Sequence, residues 1–188
     1  LILLAAEYIL TDPLKASDYA NQAAALAPKD DKKIKADASF YIAWSLYKQN
    51  KYREALGVFD QAFSLYKEEK DKSGMANCLN LQGNVYRSLS NNPKAFDLYQ
   101  QALDLRQKTG IEKDIASSLN NLGLINKEMN NYPRAIAYYL EAEKINRKLN
   151  DAYSLSYTLN NLGNVYFQTG DYQKALDLYN QSFKIREI

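Results

Sequence analysis

The chain has 188 residues, 46% of them apolar, with 24 basic against 22 acidic residues and a net charge of +2. That balance lacks the clustered Lys and Arg of a nucleic-acid surface, and the longest apolar run, Leu1 to Ala6, falls far short of the ~20 residues that cross a membrane. With no histidine and one cysteine, the sequence excludes histidine bases, Ser-His-Asp triads, histidine metal sites and an internal disulfide framework.

Apolar residues recur at three- and four-residue intervals along the whole chain, which is the helical period. Helices are expected at 1–10, 13–27, 36–49, 52–69, 73–90, 93–108, 112–130, 132–149, 152–169 and 172–187. The chain begins without Met and inside an apolar run, which reads as an excised piece or a mature product. Its compartment is therefore open, cytoplasmic or, for the sensor region of a membrane kinase, periplasmic. Pro93 and Pro133 fall in the first turn of their helices, where a missing N–H costs little, and Asn91, Asn131 and Asp171 stand where they can cap.

The helices carry a repeat. Gly83, Gly123 and Gly163 lie 40 residues apart, with Ala43 extending the series backwards, inside phrases such as Leu119-Asn120-Asn121-Leu122-Gly123. A second series, Ala55, Ala95, Ala135 and Ala175, is followed four residues later by Phe59, Tyr99, Tyr139 and Tyr179. Two markers in fixed phase define a unit of two helices, and stacked units share one core. The expected array is single: a truncated unit at 1–35, then units at 36–75, 76–115, 116–155 and 156–188, the last able to continue in a longer protein. The mid-helix glycines cost about 1 kcal/mol each relative to Ala, so they need a packing reason; the alanine of the second helix is the expected partner.

These residues resemble the tetratricopeptide repeat, with Leu159, Leu162-Gly163, Tyr166, Gly170-Asp171-Tyr172, Ala175, Tyr179 and Ser182 as the fullest copy. Departures are Gln82 for Leu, Asn126 for Tyr, Asn92 for the turn Tyr and Ala43 for Gly. The resemblance implies an all-α fold, a right-handed superhelical solenoid of antiparallel helix pairs. Its lengthened period is similar to that of kinesin light chains, spindle-orientation adaptors, bacterial quorum-peptide receptors and bacterial sensor or regulator arrays. It also implies a protein-interaction module without cofactors, metals or catalytic residues. Cys78 aligns with Ala38, Ser118 and Thr158, a row of small residues, and reads as packing.

In the resembled fold the first helices line a concave groove. Counted from the glycine, one groove row holds Phe40, Asn80, Asn120 and Asn160, a second Trp44, Asn84, Leu124 and Asn164, and a third Tyr47, Arg87, Lys127 and Phe167. Asparagine amides both donate and accept, as a peptide backbone does, so two asparagine rows suit an extended chain. Asn121 and Asn161 beside them are expected to pack between helices. Phe40, Trp44 and Tyr47 form either an apolar anchor pocket or packing beneath the helix at Leu1 to Leu10. The sites that grip a carboxylate in some family members hold Asp37, Asn77, Ser117, Tyr41, Asn80 and Asn121, which speaks against a C-terminal-tail clamp.

The leading expectation is a protein or peptide partner bound in the groove. A structural spacer or self-associating scaffold is the alternative, motivated by Leu176, Phe183, Ile185 and Ile188 on a last helix without a polar cap. A third expectation is the sensory part of a bacterial signalling protein with an output domain beyond Ile188.

Overall fold

The first helix-forming signal is local and repeated: an aspartate at a helix start whose carboxylate takes the N–H three residues on. Asp12 accepts from Lys15 N (3.0 Å), Asp31 from Ile34 N (2.9 Å), Asp71 from Gly74 N (2.8 Å) and Asp151 from Ser154 N (3.0 Å). Asn91 and Asp171 cap Lys94 N and Lys174 N, each at 3.2 Å, whereas Asn131 makes no side-chain cap.

In the computed structural model, which describes residues 1–186, the helices among the described residues are α1 (Ile2–Tyr8), α2 (Pro13–Leu26), α3 (Lys32–Lys48), α4 (Tyr52–Glu68), α5 (Lys72–Ser88), α6 (Asn92–Thr109), α7 (Glu112–Glu128), α8 (Tyr132–Lys148), α9 (Ala152–Gln168) and α10 (Tyr172–Arg186). From α3 onward they begin at residues 32, 52, 72, 92, 112, 132, 152 and 172, so each repeat divides into equal halves. The expected start of α3 at residue 36 is one turn late, because the Asp31 cap nucleates the lysine-rich turn before the apolar pattern begins. The turns follow the same register, with left-handed backbone at Asn50, Lys70, Ser90, Gly110, Asn130, Asn150 and Gly170. Residue 187 of the expected last helix lies outside the described residues.

The chain divides into two compact units, Leu1–Ser90 and Asn91–Ile188. In the first, α1 to α5 pack each against the next. Its main core joins Ala36, Phe40, Ala43, Ala55, Phe59, Ala62, Tyr66, Cys78, Leu81 and Val85. A smaller cluster of Ala5, Ala20 and Ala38 seats α1 on α2 and α3. In the second unit, α6 to α10 also pack in sequence, around Ala135, Tyr139, Leu159, Leu162, Val165 and Leu178.

The glycine partner differs from the expected alanine. A Cβ on Gly123 would stand 2.6 Å from the Tyr139 ring, and one on Gly163 would stand 2.7 Å from the Tyr179 ring. Each ring lies flat against bare backbone one helical turn beyond the alanine, filling a gap too wide for a methyl group. Where Ala43 replaces glycine, the ring at the tyrosine register is Phe59, and both are fully buried in one cluster. Of the apolar residues on the last helix, Leu176 and Phe183 are exposed and Ile185 is half-buried, while Ile188 lies outside the described residues.

Candidate functional site

First helices lie side by side within each unit, α3 beside α5 in one and α7 beside α9 in the other. The predicted groove residues stand on these four helices, in different states.

On α3, Phe40 is buried and packs edge-on to Phe59 at 6.1 Å, Tyr41 at 5.3 Å and Trp44 at 5.8 Å. Its cover is therefore Phe59 and Tyr41, since α1 reaches α3 through Ala38, Tyr41 and Ile42. Trp44 stacks on Tyr41 with an interplanar angle of 14°, and Tyr47 meets Tyr52 at 6.0 Å; both remain half-exposed against the core. On α5, Asn80, Asn84 and Arg87 are half-buried.

On α7, Asn120 is spent inside the protein. Its Nδ2 donates to the Ala116 carbonyl (3.1 Å) and its Oδ1 accepts from the Thr158 hydroxyl (3.0 Å), which in turn accepts from Asn146 Nδ2 (3.0 Å). This buried network ties α7, α8 and α9 together, and burial leaves its amides little freedom to meet a ligand. Lys127 is half-buried.

On α9 the asparagines keep unspent donors. Asn160 is half-buried and makes no side-chain hydrogen bond among the described residues. Asn161 is buried with its Nδ2 unpartnered. Asn164 uses only its Oδ1, which accepts from the Tyr179 hydroxyl at 2.8 Å. At the end of the row Phe167 is exposed, its ring edge-on to Tyr172 at 5.4 Å.

The residues that sequence counting left outside its rows lie in the seam between α7 and α9. A cleft of about 250 Å³ there is lined by Lys113, Asp114, Ser117, Asn120 and Asn121 of α7 and by Tyr153, Ser154 and Tyr157 of α9. Ser117 and Tyr157 share the register six residues before the glycine, which was the available signal. Lys113 bridges to the Asp151 cap at 3.1 Å. The Asp151 carboxyl is held below its ordinary range by the Ser154 N–H and this ammonium, despite some desolvation.

Cys78 is fully buried, and desolvation pushes its thiol well above the usual range. Among the described residues no group of three His, Cys, Asp or Glu side chains converges as metal ligands, and no helix is long and apolar enough to cross a membrane.

Comparison with known proteins agrees with this geometry. No curated protein matches the chain. Among solved structures, BtubC (BKLC) from P. vanneervenii is 25% identical with a TM-score of 0.81, over 95% of this chain and 74% of that one. Rap protein complexed with Competence and Sporulation Factor is 19% identical with a TM-score of 0.83, over 95% of this chain and 50% of that one. Aspartyl phosphate phosphatase F from Bacillus subtilis is 15% identical with a TM-score of 0.78, over 100% of this chain and 59% of that one. The chain thus spans about half to three quarters of these proteins' lengths. The model of the tetratricopeptide repeat matches residues 36–108 and 114–188, most of the sequence. The chain belongs to the tetratricopeptide repeat family, whose stacked helix pairs serve as scaffolds for protein–protein interaction.

Proposed function

We propose that the chain binds an extended peptide or partner segment along its first helices, without catalysis and without a cofactor. The observation that carries this reading is the state of α9. Asn160 makes no side-chain hydrogen bond among the described residues and Asn164 leaves its N–H₂ unused, two half-buried amide donors one turn apart on one helix. Such amides both donate and accept, which suits the alternating N–H and C=O of an extended backbone. Trp44, Asn80, Asn84, Arg87, Lys127 and Phe167 are the further contacts we propose, with Trp44 and Phe167 as apolar anchors.

A similar helical array, Rap, has been solved in complex with Competence and Sporulation Factor. By extension, we take the wider role to be sensory or regulatory, within a bacterial signalling protein. Selection of heptapeptides on the immobilised chain, followed by calorimetry against Asn160→Ala and Asn164→Ala, tests the reading. Affinity should fall about tenfold per lost amide pair. Selected peptides that bind both variants like the parent would remove α9 from the account.

A second reading, self-association, is favoured by Leu176 and Phe183, exposed on α10 in the register where Leu56 and Phe63 of α4 pack against core. Sedimentation at high protein concentration separates it, because a monomer throughout argues against it.

A further inference from the structure

One face of α9 carries rings that the fold does not use. Tyr153, Tyr157, Asn160, Asn164 and Phe167 alternate four-residue and three-residue steps, so they share a stripe about 21 Å long. Tyr153 is 84% and Tyr157 44% exposed, and neither side chain makes a hydrogen bond or a ring contact among the described residues. At the same two registers the other first helices carry Lys33 and Asp37, Ser73 and Asn77, and Lys113 and Ser117, all of them polar. Packing therefore does not ask for rings at these positions, and two exposed rings beside a cleft mark a contact surface.

The charges around that cleft are spent on each other. Lys113 pairs with Asp151 at 3.1 Å, and Asp114 stands beside buried Arg106, whose Nη1 donates to the Asp114 carbonyl at 3.2 Å. Two cations and two carboxylates thus offset one another, which favours a neutral occupant. Further along the stripe Asn164 is biased toward donation: its Oδ1 is taken by the Tyr179 hydroxyl at 2.8 Å, so what it offers a ligand is N–H alone. An ordinary extended strand presents N–H and C=O alternately. A proline-rich strand presents C=O alone, in a polyproline II helix without internal hydrogen bonds, together with pyrrolidine rings that dock in aromatic-lined grooves.

We propose that the α9 stripe, with the α7–α9 cleft at its start, receives a proline-rich segment of the partner in the polyproline II form. Tyr153 and Tyr157 take pyrrolidine rings, and the Asn164 N–H₂ takes a backbone carbonyl. This rests on the peptide-binding reading and adds the residue class and backbone form to it. At ~3.1 Å per residue such a segment covers the stripe with about seven residues. Its turn of about 9 Å is close to the ~10.5 Å that separates Tyr153 from Asn160 and Asn160 from Phe167, so prolines on one side of it meet ring, amide and ring in succession. The segment also loses little conformational freedom on docking, because its own rings fix the backbone beforehand.

The probes are two acetylated and amidated heptapeptides, heptaproline and Gly-Ser-Gly-Ser-Gly-Ser-Gly, titrated into the isotope-labelled chain and followed by amide NMR. Heptaproline should shift Tyr153, Tyr157 and Asn164 saturably at millimolar concentration, and the Gly-Ser peptide should not. The Tyr153→Ala, Tyr157→Ala double variant should weaken heptaproline binding about tenfold with helicity retained, since both rings are exposed. Asn164→Asp keeps the acceptor for Tyr179 and removes the donor, and should weaken it about fivefold to tenfold. The proposal is overturned if the Gly-Ser peptide shifts the same amides equally, if heptaproline shifts none of them, or if both variants bind heptaproline like the parent. Selected heptapeptides that contain no proline, need Asn160 and ignore the tyrosine replacements would sink the proline site and leave the peptide-binding reading standing; failure of every peptide, selected or synthetic, would count against both.

Discussion

Gly123 and the Tyr139 ring are in closer contact than any side chain at position 123 permits: a Cβ there would lie 2.6 Å from the ring. In an unconstrained helix, Gly→Ala gains up to about 1 kcal/mol from propensity alone. Gly123→Ala is expected to do the opposite and lose about 1–3 kcal/mol through overpacking, measured by urea denaturation. Tyr139→Leu should relieve much of that loss in the double variant, giving a clear coupling energy. A stabilised Gly123→Ala would show that the ring yields freely.

Lys70 has a φ of 56°, in the left-handed region, at a turn where Gly110 and Gly170 serve the equivalent positions. A lysine there bears a steric cost that glycine lacks, and its exposed side chain forms no ion pair in return among the described residues. Lys70→Gly should raise stability by about 0.5–1 kcal/mol, seen as a higher urea midpoint with unchanged slope. Gly110→Ala, at φ 73°, should lower it by a similar amount.

Both results bear on what the sequence could reveal. The helix pairs were legible because Gly, Ala and aromatic markers recur in fixed phase, and eight aligned starts leave little room for error. The partner of the glycine was not, because Ala135 and Tyr139 lie on one face a single turn apart and spacing cannot say which of them meets α7. The same limit applies at the binding face. Asn120 and Asn121 differ by about 100° of helix rotation, and only the packing of α7 against α9 decides that Asn120 turns inward to Thr158 while Asn121 lines the cleft. Phe40 was ambiguous because an aromatic on a first helix suits either a pocket or a core; the Phe59 ring settles it into the core.

Asp71 and Asp151, separated by two repeats, each cap a first helix and bind a lysine of the first helix before it, Lys33 and Lys113. Burial alone would raise the Asp71 carboxyl, but the Gly74 N–H and the Lys33 ammonium hold it below the ordinary carboxylate range; Asp151 is held down likewise, chiefly by the Ser154 N–H. A carboxylate depressed on folding contributes stability that is complete above its unfolded pKa, near 4, and is lost as pH falls through the folded value. Urea midpoints should therefore drop on acidification below about pH 4, and the Asp71→Asn, Asp151→Asn double variant should drop less steeply over the same range. Equal slopes for parent and variant would assign the acid sensitivity elsewhere.

Thr158 supplies the last test, because its hydroxyl joins Asn146 on α8 to Asn120 on α7 in the buried network. The hydroxyl accepts from Asn146 and shares its single hydrogen between Asn120 Oδ1 and the Ser154 carbonyl, at 3.0 and 2.8 Å. Thr158→Val keeps the shape and removes the hub, stranding two buried amides, and should cost about 1–3 kcal/mol. Thr158→Ser keeps the hydroxyl and loses one methyl, as the chain itself does at Ser118, so its cost should stay near 1 kcal/mol or less. If valine proved as stable as threonine, the network would be geometry without energy, and Asn120 would be free to turn toward a ligand after all.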